Sequence, residues 1–124
     1  MEAWRVFFAG AAFFNLAVAT AMLAAPAAMA RHLSIGGAGA PYVAAAVGLL
    51  IGAFGIGYAI VASAPSRNRG IVWMGLAGKL GISVLATMQF AAGIIPFRYF
   101  ALGMGDVVFA VMFAIFLWRR PRQI

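Results

Sequence analysis

The chain has 124 residues, of which 66% are hydrophobic and 9% are charged, and its formal net charge is +7. A soluble domain of this length leaves much of its surface in water and could not hide so much apolar area, so lipid is the solvent that this composition fits. The arginines lie in short clusters between apolar runs, as beside membrane spans, which argues against nucleic acid as a partner in spite of the basic charge. The absence of cysteine excludes disulfides and thiol chemistry.

Four apolar runs, each long enough to cross about 30 Å of hydrocarbon, cover residues 6–29, 41–64, 71–95 and 99–118. The connections between them are short and rich in Gly, Pro, Ser and Arg, which is typical of loops. Because such connections cannot fold alone, consecutive helices should be antiparallel neighbours. We therefore predict an all-α fold: an integral membrane four-helix bundle, antiparallel and up-down-up-down, in a single transmembrane domain over residues 1–124.

The first run also has features of a cleavable signal peptide. Arg5 would form its charged start, and Ala28-Met29-Ala30 fits the pattern of small residues at a cleavage site. However, the run is longer than the roughly 7–15 apolar residues of an ordinary signal sequence, and it carries Asn15 near its middle. We expect an uncleaved, signal-like first helix.

The distribution of arginine predicts the orientation of the spans. In a four-span layout one side of the membrane holds six arginines and the other holds two. The larger set is Arg5, Arg67, Arg69, Arg119, Arg120 and Arg122, and the smaller set is Arg31 and Arg98. Since the side richer in basic residues faces the cytoplasm, we predict a multi-pass protein of the bacterial inner membrane with both termini cytoplasmic.

Small residues recur at helical spacing in three of the runs. They are Ala44, Gly48, Gly52, Gly55, Ala59 and Ala62 in the second run, Gly75, Ala77, Gly78 and Gly81 in the third, and Ala110 and Ala114 in the fourth. Helices in lipid gain no hydrophobic energy by touching, so they associate where small side chains let their backbones approach. The stripes therefore predict close helix packing, within one chain or between several.

Lys79 and Asp106 are the only charges deep inside apolar runs. Counted from the cytoplasmic ends at the α-helical rise, Lys79 lies roughly 12 Å deep and Asp106 roughly 18 Å deep. The same count places Asn15 and Tyr58 at roughly 14 Å and 9 Å, so that each run contributes one polar side chain at a similar depth. Ser83 follows Lys79 by one helical turn. We call these five residues the polar layer.

An isolated charge at such a depth costs at least about 2.5–3.5 kcal/mol, so Lys79 and Asp106 should face the bundle interior and pair. Three interpretations stay open. The pair is an internal salt bridge that fixes the register of the helices. Alternatively it binds a polar headgroup, an anion or a proton in transit. In the third, Lys79 extends to the cytoplasmic surface without a partner.

The sequence offers no other centre for chemistry. His32 is the single histidine, whereas metal sites need three or four donors, so we predict no metal and no cofactor. No nucleophile lies beside a base, and we assign no catalytic residue. A basic rim at the cytoplasmic surface should contact anionic lipid headgroups. It consists of Arg67, Arg69, Arg119, Arg120 and Arg122.

Three short segments carry a family resemblance. They are Gly55-Ile56-Gly57-Tyr58, Gly78-Lys79 and Gly105-Asp106-Val107-Val108-Phe109. With them the chain resembles small, mostly uncharacterised bacterial inner-membrane proteins of four helices, and its layout is similar to that of DoxX-like proteins. The resemblance implies a fold and a compartment. The chain lacks the cysteines and further charged positions of a redox-linked member, which argues against a role as an oxidase subunit.

These observations favour an interaction or accessory subunit of the inner membrane, whose partners are the lipid bilayer and either copies of itself or another membrane protein. One alternative is a small transporter or binder of an amphipathic or lipid-like ligand that uses Lys79 and Asp106. Another is a membrane enzyme acting on a lipid or isoprenoid substrate, for which these two residues offer the one acid–base pair.

Overall fold

A computed structural model describes residues 2–119, and over that range the chain is all-helical, with no strand. A single turn of 3-10 helix, Pro65–Arg67, precedes the fourth of five α-helices. The helices are α1 (Glu2–Ala24), α2 (Pro26–His32), α3 (Ala40–Ser63), α4 (Arg69–Ala91) and α5 (Phe97–Trp118). Four of them, all except α2, are long and apolar enough to cross a membrane, with mean hydropathies of 2.0, 2.1, 1.6 and 2.3 in chain order.

The first apolar run is two helices, and the prediction of one helix over residues 6–29 was wrong. Pro26 has no N–H to bond the carbonyl four residues before it, and its ring obstructs that carbonyl, so the chain bends at Ala25 and restarts with proline at the first helical position. The end of α2 is a Schellman turn with Ser34 at a φ of 58°, in which the N–H of Ile35 bonds the carbonyl of Ala30 at 2.8 Å.

The connection between α4 and α5 is also longer than predicted. We expected the third helix to reach residue 95, but α4 ends at Ala91 and Gly93 adopts a φ of 74°. The N–H of Ile94 bonds the carbonyl of Gln89 at 2.9 Å, which completes a second Schellman turn with glycine at its left-handed position. Pro96 then precedes α5 in an extended conformation, and α5 begins at Phe97 rather than at 99.

The chain divides into two compact units, of which the first extends to Arg67 and the second begins at Asn68. In the first unit α1 packs along α3, and α2 packs against the same helix. The contact residues alternate in steps of four and three, the spacing of a straight interhelical seam. They are Phe8, Ala12, Asn15, Ala19 and Met22 on α1, and Ala44, Gly48, Ile51, Gly55 and Tyr58 on α3.

Glycines let α1 and α3 approach closely. A Cβ on Gly48 would lie 2.7 Å from Cβ of Met22, and one on Gly55 would lie 3.0 Å from Cβ of Asn15. A real Cβ does not tolerate the first distance, so any side chain at position 48 would push the helices apart. The part of the small-residue stripe from Ala44 to Gly55 is therefore the surface that α1 occupies, whereas Ala59 is exposed.

In the second unit α4 packs against α5 by the same rule. The seam residues are Val72, Gly75, Lys79, Ser83 and Ala86 on α4, and Gly103, Asp106, Ala110, Phe113 and Leu117 on α5. A Cβ on Gly103 would lie 2.8 Å from Cβ of Ala86. Gly78 and Gly81, which we expected to pack together with Gly75, are exposed instead. A seam in steps of three and four places Gly75, Lys79 and Ser83 toward α5, and this turns Gly78 and Gly81 outward.

Candidate functional site

Lys79 and Asp106 face each other across the α4–α5 seam. The Nζ atom of Lys79 lies 2.8 Å from Oδ1 of Asp106, at ion-pair and hydrogen-bond distance. The Lys79 side chain is 11% exposed and that of Asp106 is 31% exposed. The Lys79 side chain is therefore the more enclosed of the two, and the Asp106 side chain is partly accessible.

Two phenylalanine rings of α5 complete the surroundings of the ammonium. Nζ lies 4.8 Å from the centre of the Phe109 ring and 6.0 Å from that of Phe113. Both distances are within the range in which the negative face of a ring attracts a cation. Phe113 is fully buried, which fixes its ring in place. We call Asp106, Phe109 and Phe113 the ammonium cage.

Ser83 supports the cage through the backbone rather than through the charges. Its Oγ donates to the carbonyl of Lys79 at 2.7 Å and approaches the carbonyl of Gly103 at 3.4 Å, so the buried hydroxyl connects α4 with α5. Thr87, one turn further on, donates to the carbonyl of Ser83 at 2.8 Å. These hydroxyls therefore hold helix geometry around the lysine.

The remaining members of the predicted polar layer, Asn15 and Tyr58, belong to the first unit. Nδ2 of Asn15 donates to the carbonyl of Ile51 at 3.1 Å, which ties α1 to α3. Tyr58 is 2% exposed, and the centre of its ring lies 6.3 Å from that of Phe54. The structure thus brings Lys79, Ser83 and Asp106 together in one unit, and a layer that joins both units stays a prediction.

Arg69, predicted to belong to the basic rim, binds the end of α5. Its guanidinium donates to the carbonyls of Leu117 at 2.5 Å and Arg119 at 3.2 Å, approaches that of Phe116 at 3.5 Å, and lies 5.5 Å from the centre of the Phe116 ring. Carbonyls in the last turn of a helix point beyond the helical hydrogen-bond ladder, and a cation is favoured at this end of the helix dipole. Arg69 is therefore a C-terminal cap of α5.

The other predicted headgroup contacts divide between described and undescribed residues. Arg67 and Arg119 are exposed, so their contact with lipid stays a prediction. Arg120 and Arg122 lie outside the described residues. His32 is exposed at the end of α2, and residues 2–119 contain no group of three His, Cys, Asp or Glu side chains that could hold a metal ion.

The sequence reasoning missed three functional side chains that spacing could have revealed. Phe109 and Phe113 follow Asp106 by three and seven residues, so they lie on its face of the helix. The role of Arg69 follows from the nearly equal lengths of α4 and α5, 23 and 22 residues, which bring the start of one to the end of the other.

The chain matches no protein-family model, and comparison with curated proteins and with solved structures gave no significant match. Fold and site therefore define a class: a protein whose described residues are all-helical and include four helices long and apolar enough to cross a membrane. Within this class the distinguishing feature is an ion pair between α4 and α5, enclosed by aromatic rings.

Proposed function

We propose that the protein is a small multi-pass protein of the bacterial inner membrane that acts as an interaction or accessory subunit. In this proposal the outer face of α4 docks a transmembrane helix of another membrane protein. The single observation that carries it is a second seam on α4, which faces away from α5. We call this surface the outer seam.

The outer seam repeats the spacing by which the helices of each unit pack. Its members, in steps of four and three, are Gly70, Met74, Ala77, Gly81, Val84 and Met88, and all are exposed. No atom lies within 4 Å of the position that a Cβ would take on Gly70 or Gly81. Small residues along such a seam let a helix backbone approach in lipid, and flexible methionines adapt to its side chains.

The interior of the second unit supports an interaction role over chemistry. The ammonium of Lys79 already has Asp106 as its partner, and the hydroxyl of Ser83 is bonded to backbone carbonyls. An ion pair joining two helices in this way is the ordinary use of polar groups between membrane helices. In this proposal, the second unit therefore contacts its partner protein through the outer surface of its helices.

The finer architecture belongs to the same proposal. We infer that the four long helices cross the membrane up-down-up-down in one bundle, with both termini in the cytoplasm. The support is the excess of arginine on that side, namely six residues against two. A relationship to DoxX-like proteins rests on the short segments around Tyr58, Lys79 and Asp106, and it is proposed on that basis alone.

Site-directed photo-crosslinking tests the docking proposal. Because the chain has no cysteine, a single Gly81→Cys variant carries a benzophenone maleimide at one position of the outer seam. Ile82→Cys is the matched control, since it lies at nearly the same depth, is also exposed, and points about 100° away. We expect Gly81→Cys to form an adduct with a different membrane protein in native membranes and Ile82→Cys to form far less.

Three results would contradict this proposal. Equal crosslinking at both positions would mean that the outer seam is ordinary lipid-facing surface, as would the absence of any protein adduct. An adduct of twice the 13.0 kDa chain mass would mean that the partner is a second copy of this chain and not another membrane protein.

A second candidate function, a binder of an amphipathic ligand, is favoured by the ammonium cage. The Asp106 side chain is 31% exposed, so a ligand can reach it more easily than a charge that is fully enclosed between two helices. A ligand that shifts the thermal stability of the native protein, and no longer does so in Asp106→Asn, would support this candidate. A shift that survives in that variant would place the ligand elsewhere.

A further inference from the structure

We propose that the ammonium cage is an exchangeable cation site. An amphipathic ammonium ion, a charged amine head on an apolar tail, binds Asp106, Phe109 and Phe113 in place of the ammonium of Lys79. This inference rests on the second candidate function and names the class of its ligand.

The chemistry of the cage selects a cation. A carboxylate at 2.8 Å and two ring faces at 4.8 Å and 6.0 Å surround the Nζ position, and these groups together attract positive charge and repel anions. The rings and the carboxylate all belong to α5, so they stay in place when the lysine of α4 leaves. A primary amine reproduces the ammonium of Lys79 atom for atom.

The partly exposed side chain of Asp106 gives a ligand access to the cage. Gly78 and Gly105, which directly precede Lys79 and Asp106, are both exposed, and no atom lies within 4 Å of a Cβ position on Gly105. The helices α4 and α5 pack antiparallel, with the start of one beside the end of the other. Gly78 and Gly105 therefore lie on the same side of the Lys79–Asp106 ion pair. The pair is thus bordered on one side by two residues without side chains.

Charge balance makes binding an exchange rather than an addition. One carboxylate compensates one ammonium, and a second cation would leave an uncompensated charge in the span, which is costly in an apolar surrounding. Lys79 has a flexible four-carbon stem that can leave the cage without movement of the backbone. As on other helices, this stem is directed toward the N-terminal end, here the end of α4 that begins at Arg69.

The neighbouring surface explains the apolar tail. Leu102, one turn before Asp106 on α5, is 64% exposed. A ligand head in the cage therefore has hydrocarbon around it, whether from this side chain or from lipid, and a tail without polar groups fits there. An inorganic cation would lose its hydration in the same place and gain one carboxylate, so the cage favours an organic amine.

The proposed exchange of the Lys79 ammonium for a ligand amine is tested by calorimetry. It measures the binding of decylammonium to the native chain in lipid nanodiscs, with empty nanodiscs as the reference. Decyl sulfate, with the same tail and the opposite charge, is the control ligand. We expect the native chain to bind decylammonium above the empty discs, and Lys79→Met, which removes the resident cation, to bind at least about tenfold tighter. Asp106→Asn should lose the excess binding, and Phe109→Leu should weaken it by about threefold to tenfold.

The outcomes separate the inference from the function on which it rests. Binding of decyl sulfate that depends on Lys79, without binding of decylammonium, would keep the ligand-binding function and overturn the cation assignment. No binding of either ligand by the native chain would overturn both. Decylammonium binding to Lys79→Met but not to the native chain would overturn the exchange, because Lys79 would then be a permanent occupant. Lys79→Gln repeats the comparison if circular dichroism shows that Lys79→Met is misfolded.

Discussion

Three features of the structure stabilise the partly buried ammonium of Lys79. Asp106 supplies the opposite charge, Phe109 and Phe113 supply ring faces, and the helix supplies an apolar position along the seam. Removing either charge leaves the other uncompensated among apolar groups, which is more costly than removing both. The stability of the pair is therefore a coupling between residues and not a property of either one.

A double-mutant cycle on this pair measures that coupling. We expect Lys79→Ala and Asp106→Ala each to lower the unfolding free energy by about 2–4 kcal/mol. The double variant should lose less than the sum, by about 1–3 kcal/mol. Unfolding in mixed detergent micelles, followed by circular dichroism, gives the three values. Additive losses would mean that the two side chains do not interact in the folded protein.

At this scale the sequence predicted the pair but not its surroundings. Rarity and depth were sufficient for Lys79 and Asp106, because two opposite charges in apolar runs of similar depth have few other partners. Phenylalanine is common in membrane helices, so the spacing of Phe109 and Phe113 from Asp106 became informative only once the seam showed that this face meets Lys79. Asn15 was placed in the same layer by depth, yet depth alone does not identify the carbonyl of Ile51 as its partner.

At the scale of the helices, we expect a glycine-to-alanine substitution to have opposite effects on stability in α3 and in α4. Gly48→Ala should lower the unfolding free energy by about 1–3 kcal/mol, because the new Cβ would meet Met22 at 2.7 Å and force α1 away. Gly81→Ala is the matched control, since its Cβ enters open space. It should leave the stability unchanged or raise it by up to about 1 kcal/mol through helix propensity. Thermal unfolding of the two variants in the same detergent measures both changes in stability. Equal changes would contradict the packing described for α1 and α3.

The Arg69 cap predicts a loss confined to the second unit. Arg69→Leu removes donors from the terminal carbonyls of α5, so we expect a loss of about 1–3 kcal/mol in unfolding free energy. Arg67→Leu is the control, because Arg67 is exposed, and it should change stability by less than about 0.5 kcal/mol. Hydrogen exchange at the end of α5 locates the effect. Unchanged exchange in Arg69→Leu would show that the carbonyls find their partners elsewhere.

Helix identity was easier to predict than helix ends. Long apolar runs require helices, because lipid offers no partner for backbone N–H and C=O groups. The ends depend on single residues whose effects compete. Pro26 was overlooked inside an apolar run, and the left-handed turn at Ser34 is a conformation that glycine usually provides. The prediction that Gly78 and Gly81 are packed was wrong for a different reason. The sequence shows that a helix face carries small residues, but not which neighbouring helix covers that face.

For the whole molecule, the arginine distribution predicts where reporters become active. A fluorescent protein fused after Ile124 should fluoresce, and alkaline phosphatase fused there should be inactive, because the end of the chain is expected in the cytoplasm. Fusions after Gly37, in the connection between α2 and α3, should behave in the opposite way. An active phosphatase after Ile124 would overturn the four-span topology.

What the sequence predicted at this scale is the class of protein and the number of long helices, which follow from hydropathy and length. It did not predict the division into two units at Arg67 and Asn68. Each unit is built on a pair of long helices that are consecutive among the four candidate spans, with α2 in the connection of the first pair.

The separation of Lys79 from Asp106 along the chain has a consequence for biogenesis. During synthesis α4 emerges from the ribosome before α5, so the lysine reaches the insertion machinery while its counter-ion is still 27 residues away. With a mean hydropathy of 1.6, α4 is the least apolar of the four candidate spans and α5, at 2.3, the most apolar. Retention of α4 at the translocon until α5 arrives would let the two helices enter the lipid together, with the charge already neutralised.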